Sequence, residues 1–262
     1  MTGSLRLGLD TGWPAEPFGE SAGPEGWDRG RAADLLQRVA GGTLDAALVD
    51  AAAAQRWAPE VELVPGAAVS SFGKAGLAFL VHAVPLERVT AIASGEPESA
   101  PALLARLLFR AAGRPIGVVP ETPAPAATVA LLRAAPGPAP LPPGARALDL
   151  GQVWTDLTGL PFVWAVWVCR KGRLDRPLYG AIHGAIRAAR SRSRAAWPEG
   201  LFFRLGRAEL AGLARFGEEA AALGLAPARP PLRPARLAAA TACDAKAARR
   251  SRPGGRTGGG GS

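Results

Sequence analysis

Two polar segments follow apolar stretches of this sequence and carry the residue types that acid–base chemistry needs. Leu5 to Leu9 alternates, which predicts a first strand, and Asp10 and Thr11 follow at its carboxyl end. Ligands of open α/β folds bind at the carboxyl ends of strands, so Asp10 stands where a base could act, although it could equally cap a turn. Val69 to Lys74 is a second polar stretch, predicted as a loop that faces a cleft or merely closes a turn.

The histidines and cysteines give no indication of a metal centre. Neither His82 nor His183 has a carboxylate or a cysteine at metal-ligand spacing, so each is predicted to be structural or exposed. Cys169 and Cys243 are the only cysteines, and we expect both to be free thiols. No metal site is therefore predicted.

The stretch from Asp149 to Val168 is the element around which the chain is predicted to be organised. A short helix is expected to begin at Gly151 and to end at Gly159 and Pro161. Phe162 to Val168 is an apolar run with aromatic and β-branched residues, which is typical of a strand covered on both faces. The sequence thus predicts a helix that leads through a tight turn into a buried strand.

Strands and helices alternate along the rest of the chain, which predicts an α/β fold of two lobes with a ligand cleft between them. Thr122 to Ala134 is interpreted as a helix of the second lobe. The assigned ranges are 1–84 plus 172–226 for the first lobe and 85–171 for the second, with crossing segments near Val84 to Arg88 and near Val168 to Leu174.

Most of the positive charge lies in the C-terminal segment. The formal net charge is +9, and from Pro227 onward eight basic residues accompany one acid, so this segment alone carries +7. Residues 227–262 are predicted to be a disordered basic tail, and attraction of this tail to nucleic acid or an acidic surface is a weaker alternative. The near-neutral remainder is not expected to bind nucleic acid.

No apolar run approaches the roughly 18 residues that span a bilayer and no secretory signal is evident, so we expect a cytoplasmic protein without membrane contact.

The central stretch also carries a set of motifs. They are Asp149-Leu150-Gly151, Trp154, Leu157 to Val163 and Ala165-Val166-Trp167, with supporting matches at Leu44 to Val49, Glu62 to Pro65, Ser71 with Gly73, and Val84 to Glu87. This pattern resembles the chorismate dehydratases of the futalosine route of menaquinone biosynthesis. The sister synthase of that route shares the Thr-Gly-Leu-Pro turn, but the lack of a further histidine weighs against it.

The resemblance extends over roughly Leu5 to Ala226 and implies both a fold and a reaction. The implied fold is a periplasmic-binding-protein-like bilobal α/β domain. The implied reaction is the loss of water from chorismate to give 3-enolpyruvylbenzoate, without a metal or redox cofactor. We expect a small-molecule substrate and a protein that is a monomer or a homodimer.

The residues that would touch the substrate depart from the family pattern. The chain contains no asparagine, and Asp10 and Thr11 stand in the region of the asparagine in the family's first loop. Glu96 and Glu98 occupy a loop where they would repel a dianion. Two hypotheses remain open: a divergent dehydratase, or a non-catalytic relative that binds a small anionic ligand in the same cleft. The site residues of the first hypothesis are Asp10 and Thr11 as catalytic residues and Ser70, Ser71, Gly73 and Ser99 as substrate-binding residues.

Overall fold

A computed structural model describes residues 4–11, 18, 27–121, 126, 128–134, 141–193 and 200–238. The strands within these ranges are short except for the fourth and the tenth. They are β1 (Leu7–Asp10), β2 (Asp28–Gly30), β3 (Ala46–Asp50), β4 (Val61–Ser71), β5 (Ala78–His82), β6 (Ala91–Ala93), β7 (Gly117–Val119), β8 (Val129–Ala134), β9 (Arg146–Asp149), β10 (Phe162–Arg170) and β11 (Leu201–Phe202).

The helices alternate with these strands and cover the faces of the sheets. They are α1 (Ala32–Ala40), α2 (Ala51–Arg56), α3 (Ala100–Ala111), α4 (Leu150–Thr158), α5 (Arg176–Ser193) and α6 (Arg207–Ala222). Their long apolar side chains face the strands, and Leu35, Leu36 and Val39 of α1 are fully buried.

The strands form two separate sheets, one in each lobe. The first lobe holds a six-stranded sheet in the order β11-β4-β10-β3-β1-β2, and the second holds a five-stranded sheet in the order β7-β6-β8-β5-β9. In the first sheet β1 runs parallel to β2 and β3, while β10 is antiparallel to both β3 and β4. The predicted two-lobed α/β architecture is therefore present.

The central stretch has the predicted form, a short helix that leads through a turn into a buried strand. Asp149 caps α4 by accepting a hydrogen bond from the backbone N–H of Gln152, and Gly159 ends the helix with a positive φ of 67°. Every residue of β10 from Phe162 to Cys169 is buried, because β10 lies between β3 and β4 and is covered on both faces.

Aromatic side chains join this stretch to α6 in one core. The ring centroid of Phe162 lies 5.5 Å from that of Trp154, 4.4 Å from that of Trp164 and 5.0 Å from that of Phe216. All three pairs have edge-to-face geometry. Trp154, Trp164 and Trp167 are at most 1% exposed. The expectation that these tryptophans are core residues is confirmed.

The chain changes lobe at other points than the predicted ones. β5 hydrogen-bonds to β8 and β9 in the second sheet, although the predicted range 1–84 assigns it to the first lobe. β10 lies in the first sheet, although the range 85–171 assigns it to the second. The crossings are therefore residues 72–77 and the stretch that contains α4. Val84 and Pro85, where the first crossing was predicted, lie inside the second lobe between β5 and a short 3-10 helix at Leu86–Arg88.

Two further expectations differ from the structure. Val129–Ala134, the end of the predicted helix Thr122 to Ala134, is a strand paired with β5 and β6, because a short apolar run suits a buried strand as well as a helix. The start of the predicted tail, residues 227–238, is ordered: the N–H of Leu63 donates to Arg233 O, that of Ala235 donates to Leu63 O, and Leu232 is buried. Residues 239–262 lie outside the described ranges.

Candidate functional site

A cleft opens between the lobes where β1 and β3 end. Because these neighbouring strands are parallel, their carboxyl ends bring Asp10 and Asp50 to the same edge of the first sheet. The loop before α3 faces them from the second lobe. A cavity of about 280 Å³ and a second of about 320 Å³ share five lining residues, namely Asp10, Asp50, Gly95, Glu96 and Ser99.

Asp10 and Thr11 both lie in this cleft, as the sequence predicts. Asp10 is 6% exposed, and its Oδ2 accepts a hydrogen bond of 3.3 Å from the backbone N–H of Asp50. The hydroxyl of Thr11 donates to Gly30 O at 3.3 Å and its N–H donates to the same oxygen at 2.8 Å. Thr11 therefore fixes the end of β1 against β2, while the carboxylate of Asp10 lines both cavities.

Asp50 is the cleft residue that sequence reasoning left out of the site. Its Oδ1 accepts hydrogen bonds from the N–H groups of Ala52 and Ala53, and its Oδ2 accepts one from Ala100 N–H at 2.8 Å. Burial raises the pKa of Asp50 to about 7 against the opposing effect of these backbone hydrogen bonds, and the charge of Asp10 raises it further. The position of Asp50 between an apolar strand and an alanine run is typical of a helix cap. No feature of the neighbouring sequence predicts the contact between Asp50 and Ala100.

The loop before α3 places Ser99 and Glu96 on the opposite wall. Ser99 caps α3: its Oγ accepts from Ala102 N–H at 3.4 Å and donates to Glu96 O at 2.9 Å. Burial, followed by the charge of Asp10, raises the pKa of Glu96, while Arg31 opposes this shift. The structure thus brings Ser99 into the cleft with Asp10 and Thr11, as predicted, and its hydroxyl serves as a helix cap.

Ser70 and Ser71 lie in the scaffold instead. Both belong to β4, which continues through the predicted loop because it pairs with β10 and β11 up to Ser71. Both are 0% exposed. The hydroxyl of Ser70 lies 3.4 Å from Phe202 O and 3.3 Å from Arg204 O, and Ser71 Oγ accepts from Trp164 Nε1 at 3.0 Å. The predicted substrate-binding role of these two serines is therefore not supported, because they are enclosed and already hydrogen-bonded.

Gly73 belongs to the first crossing between the lobes. Its φ is 78°, a conformation that favours glycine, and its N–H donates to Thr155 Oγ1 of α4 at 2.9 Å. Gly73 is not among the residues that line the two cleft cavities. In this structure it joins the two crossing segments.

The histidines bond to the backbone. A ring nitrogen of His82 lies 2.7 Å from Val84 O and one of His183 lies 3.0 Å from Pro65 O. Among the described residues, no group of three or more histidine, cysteine, aspartate or glutamate side chains is arranged to hold a metal ion. Within the same ranges, no helix has both the length and the apolar character that crossing a membrane requires.

Comparison with solved structures identifies the architecture. The periplasmic aliphatic sulphonate binding protein SsuA from Escherichia coli matches with a TM-score of 0.57 at 14% identity, covering 98% of this chain and 97% of that one. Protein AF1704 from Archaeoglobus fulgidus matches with a TM-score of 0.50 at 14% identity, covering 75% of this chain and 86% of that one. The predicted periplasmic-binding-protein-like fold is confirmed.

Comparison at the level of sequence gives one result. The profile of the family described as menaquinone biosynthesis matches residues 29–211. No curated protein matches the sequence. The matched range contains the whole central stretch, the loop before α3 and β3 with Asp50, whereas Asp10 and Thr11 precede it.

Proposed function

The chain belongs to the menaquinone biosynthesis family, and from that premise we propose that it is a chorismate dehydratase, which removes water from chorismate to give 3-enolpyruvylbenzoate in the cleft between the lobes. We assign the reaction to the futalosine route and to the cytoplasm. The observation that carries the proposal is the carboxylate of Asp10, which lies at the carboxyl end of β1 and lines both cavities.

The elimination breaks one C–H bond and one C–O bond of the substrate and forms a C=C bond. In our proposal the carboxylate of Asp10 accepts the proton from carbon, and the leaving hydroxide takes a proton from an acid and departs as water. We assign the acid to Glu96, because the raised pKa of Glu96 keeps its neutral form populated at higher pH than that of an ordinary glutamate. Proton exchange with solvent then restores both carboxyl groups.

The two carboxylates of the substrate need partners in a cleft that is rich in acidic groups. Arg31 lines the larger cavity, and its charge opposes the rise in the pKa of Glu96. A guanidinium pairs with a carboxylate through two parallel hydrogen bonds. We therefore assign Arg31 to one carboxylate of chorismate.

The test is chorismate consumption by purified protein, with the product identified by mass. We expect turnover by the wild type and a loss of about 10²-fold or more in Asp10→Ala, which is the order of magnitude of a general base. Asp34→Ala removes an exposed carboxylate of α1 that lines neither cavity, and it should retain activity. Absence of wild-type turnover at enzyme levels far above those of an active control contradicts the proposal.

Asp10→Asn separates two roles of Asp10. Asparagine donates hydrogen bonds but does not take up a proton, so a base at this position predicts that Asp10→Asn is as inactive as Asp10→Ala. If Asp10→Asn is active and Asp10→Ala is not, the residue acts through hydrogen bonds, as the asparagine of the family pattern does. The assignment of Asp10 as the base would then be wrong.

A non-catalytic relative that binds a small anionic ligand is the second candidate. The observation that favours it is the hydrogen bonding of Thr11 and Ser99. Their hydroxyl groups donate to protein carbonyls, so in this arrangement they do not donate to a reacting substrate. A ligand-dependent rise in melting temperature without turnover supports this candidate, since a ligand that binds only the folded state stabilises it.

A further inference from the structure

The carboxyl group of Asp50 is shared between the two lobes. One oxygen caps α2 of the first lobe through the N–H groups of Ala52 and Ala53, at 2.9 and 3.1 Å. The other accepts the N–H of Ala100 at 2.8 Å, at the start of α3, which packs on β7 and β8 of the second sheet. A single buried side chain therefore bonds the end of β3 to the first turn of a helix in the opposite lobe.

A second link between the lobes starts from the other end of α2. Arg56 donates to Glu98 O at 3.1 Å and lies 3.4 Å from Glu98 Oε2. The side chain of Glu98 is 78% exposed, so this ion pair contributes little. The bond from Asp50 is enclosed and charge-assisted when the carboxyl is ionised, which makes it the stronger of the two contacts.

We propose that Asp50 is the positioning residue of this cleft: its carboxylate holds the N-terminus of α3 against the end of β3, and thereby sets the separation between Asp10 and the loop that carries Glu96 and Ser99. Its backbone N–H, which donates to Asp10 Oδ2 at 3.3 Å, orients the carboxylate of Asp10 from the same point. Asp50 acts through other groups and needs no contact with the substrate. The consequence for turnover rests on the proposed function, whereas the link between the lobes does not.

The hydrogen bond from Ala100 N–H favours the ionised carboxyl group of Asp50, whereas burial in the cleft favours the neutral one. Burial favours the neutral carboxyl group and the pKa of Asp50 is about 7, so the side chain loses its charge as the pH falls through that value. A neutral carboxyl group accepts a weaker hydrogen bond from Ala100 N–H than a carboxylate does. The other ionisable groups that line the two cavities are Asp10 of β1, Arg31 before α1, Arg56 of α2, Glu96 and Glu98 of the loop before α3, and Glu121 after β7.

The experiment is hydrogen exchange of the Ala100 amide in the full chain at pH 8, corrected for intrinsic exchange. In the wild type we expect this amide to be protected. In Asp50→Asn the amide oxygen can still cap α2, but the NH₂ group cannot accept from Ala100 N–H. We expect exchange of this amide to be about tenfold or more faster in Asp50→Asn than in the wild type, as for the loss of one charge-assisted hydrogen bond.

Asp175→Asn is the matched control. The carboxylate of Asp175 accepts from Leu178 N–H at 2.8 Å near the start of α5, and thus caps a helix without reaching the second lobe. Exchange of the Ala100 amide in this variant should equal that of the wild type. An Ala100 amide that exchanges at its intrinsic rate in the wild type, a result that needs no variant, overturns the proposal. Wild-type protection of this amide in Asp50→Asn overturns it as well.

Turnover supplies a separate measurement. If Asp50 positions Asp10 and the opposite loop, kcat/KM for chorismate should fall in Asp50→Asn and not in Asp175→Asn. A wild type without turnover whose Ala100 amide loses protection in Asp50→Asn contradicts the proposed function and supports the link. Turnover together with wild-type protection of Ala100 in Asp50→Asn supports the function and contradicts the link.

Discussion

Replacement of Ser71 by alanine tests whether this serine belongs to the scaffold or to a ligand site. In the structure its Oγ accepts a hydrogen bond of 3.0 Å from Nε1 of Trp164, and both side chains are 0% exposed. Alanine fits the space of serine but offers no acceptor. The indole N–H of Trp164 would then lose the hydroxyl oxygen of Ser71 as its acceptor.

The expected loss of stability follows from that lost hydrogen bond. One intramolecular hydrogen bond contributes about 0.5–1.5 kcal/mol. For a chain of this size each kcal/mol of unfolding free energy corresponds to roughly 2–4 °C, so Ser71→Ala should melt roughly 1–6 °C below the wild type. KM for chorismate should not change, because Ser71 lines neither cleft cavity.

Urea unfolding followed by tryptophan fluorescence measures this difference. Ser191→Ala is the control, because the hydroxyl of Ser191 is exposed and donates to Ala188 O at 2.9 Å within α5. That variant should lie within about 0.5 kcal/mol of the wild type. Trp164→Phe completes a double-mutant cycle in which removal of both partners should cost less than the sum of the single changes.

Two results would refute this reasoning. A Ser71→Ala protein as stable as the wild type, with additive effects in the cycle, would mean that the bond to Trp164 contributes nothing. A raised KM with unchanged stability would mean that Ser71 meets the substrate, as the family pattern suggests, and that β4 ends earlier than the structure indicates.

Three further predictions concern the packing of the first lobe. Gly212→Ala should lower the free energy of unfolding in urea by several kcal/mol, because a Cβ at this position would lie 2.0 Å from Pro161 O. A decrease below about 1 kcal/mol would contradict the close contact between α6 and the central stretch. Truncation after residue 226 should give a lower melting temperature than truncation after residue 238, because it removes the bonds of Arg233 and Ala235 to Leu63. Equal melting temperatures for the two truncations would contradict this packing. Cys169 should resist thiol reagents in the native protein at pH 8, because it is buried and burial raises the pKa of its thiol to about 12. Its modification should appear only at urea concentrations that unfold the protein, and rapid labelling of this cysteine in the native state would contradict the prediction.

The sequence by itself determined the features that depend on neighbouring residues. The apolar run of β10 predicts a strand covered on both faces, because no polar residue interrupts it before Arg170. Gly159 predicts the end of α4, because a residue with φ of 67° at that point favours glycine. Asp10 and Thr11 were predicted at the carboxyl end of the first strand, and they lie there and line a cavity between the lobes.

Only the tertiary structure decided which distant segments meet. Ser70 and Ser71 look like a polar loop in the sequence, but pairing of β4 with β10 and β11 continues through them and turns their hydroxyls towards Phe202 and Trp164. A short apolar strand does not encode its sheet, so the sequence placed β5 and β10 in the wrong lobes. Their correct placement required knowledge of their hydrogen-bonded neighbours.

The cleft shows the same division between local and distant information. The position of Asp50 before an alanine run predicts a helix cap, and the structure has this cap. Its second bond, to Ala100 in the other lobe, joins residues 50 apart in the chain. Such a contact depends on how two sheets are set against each other, which is the result of packing over the whole fold and not of any local propensity.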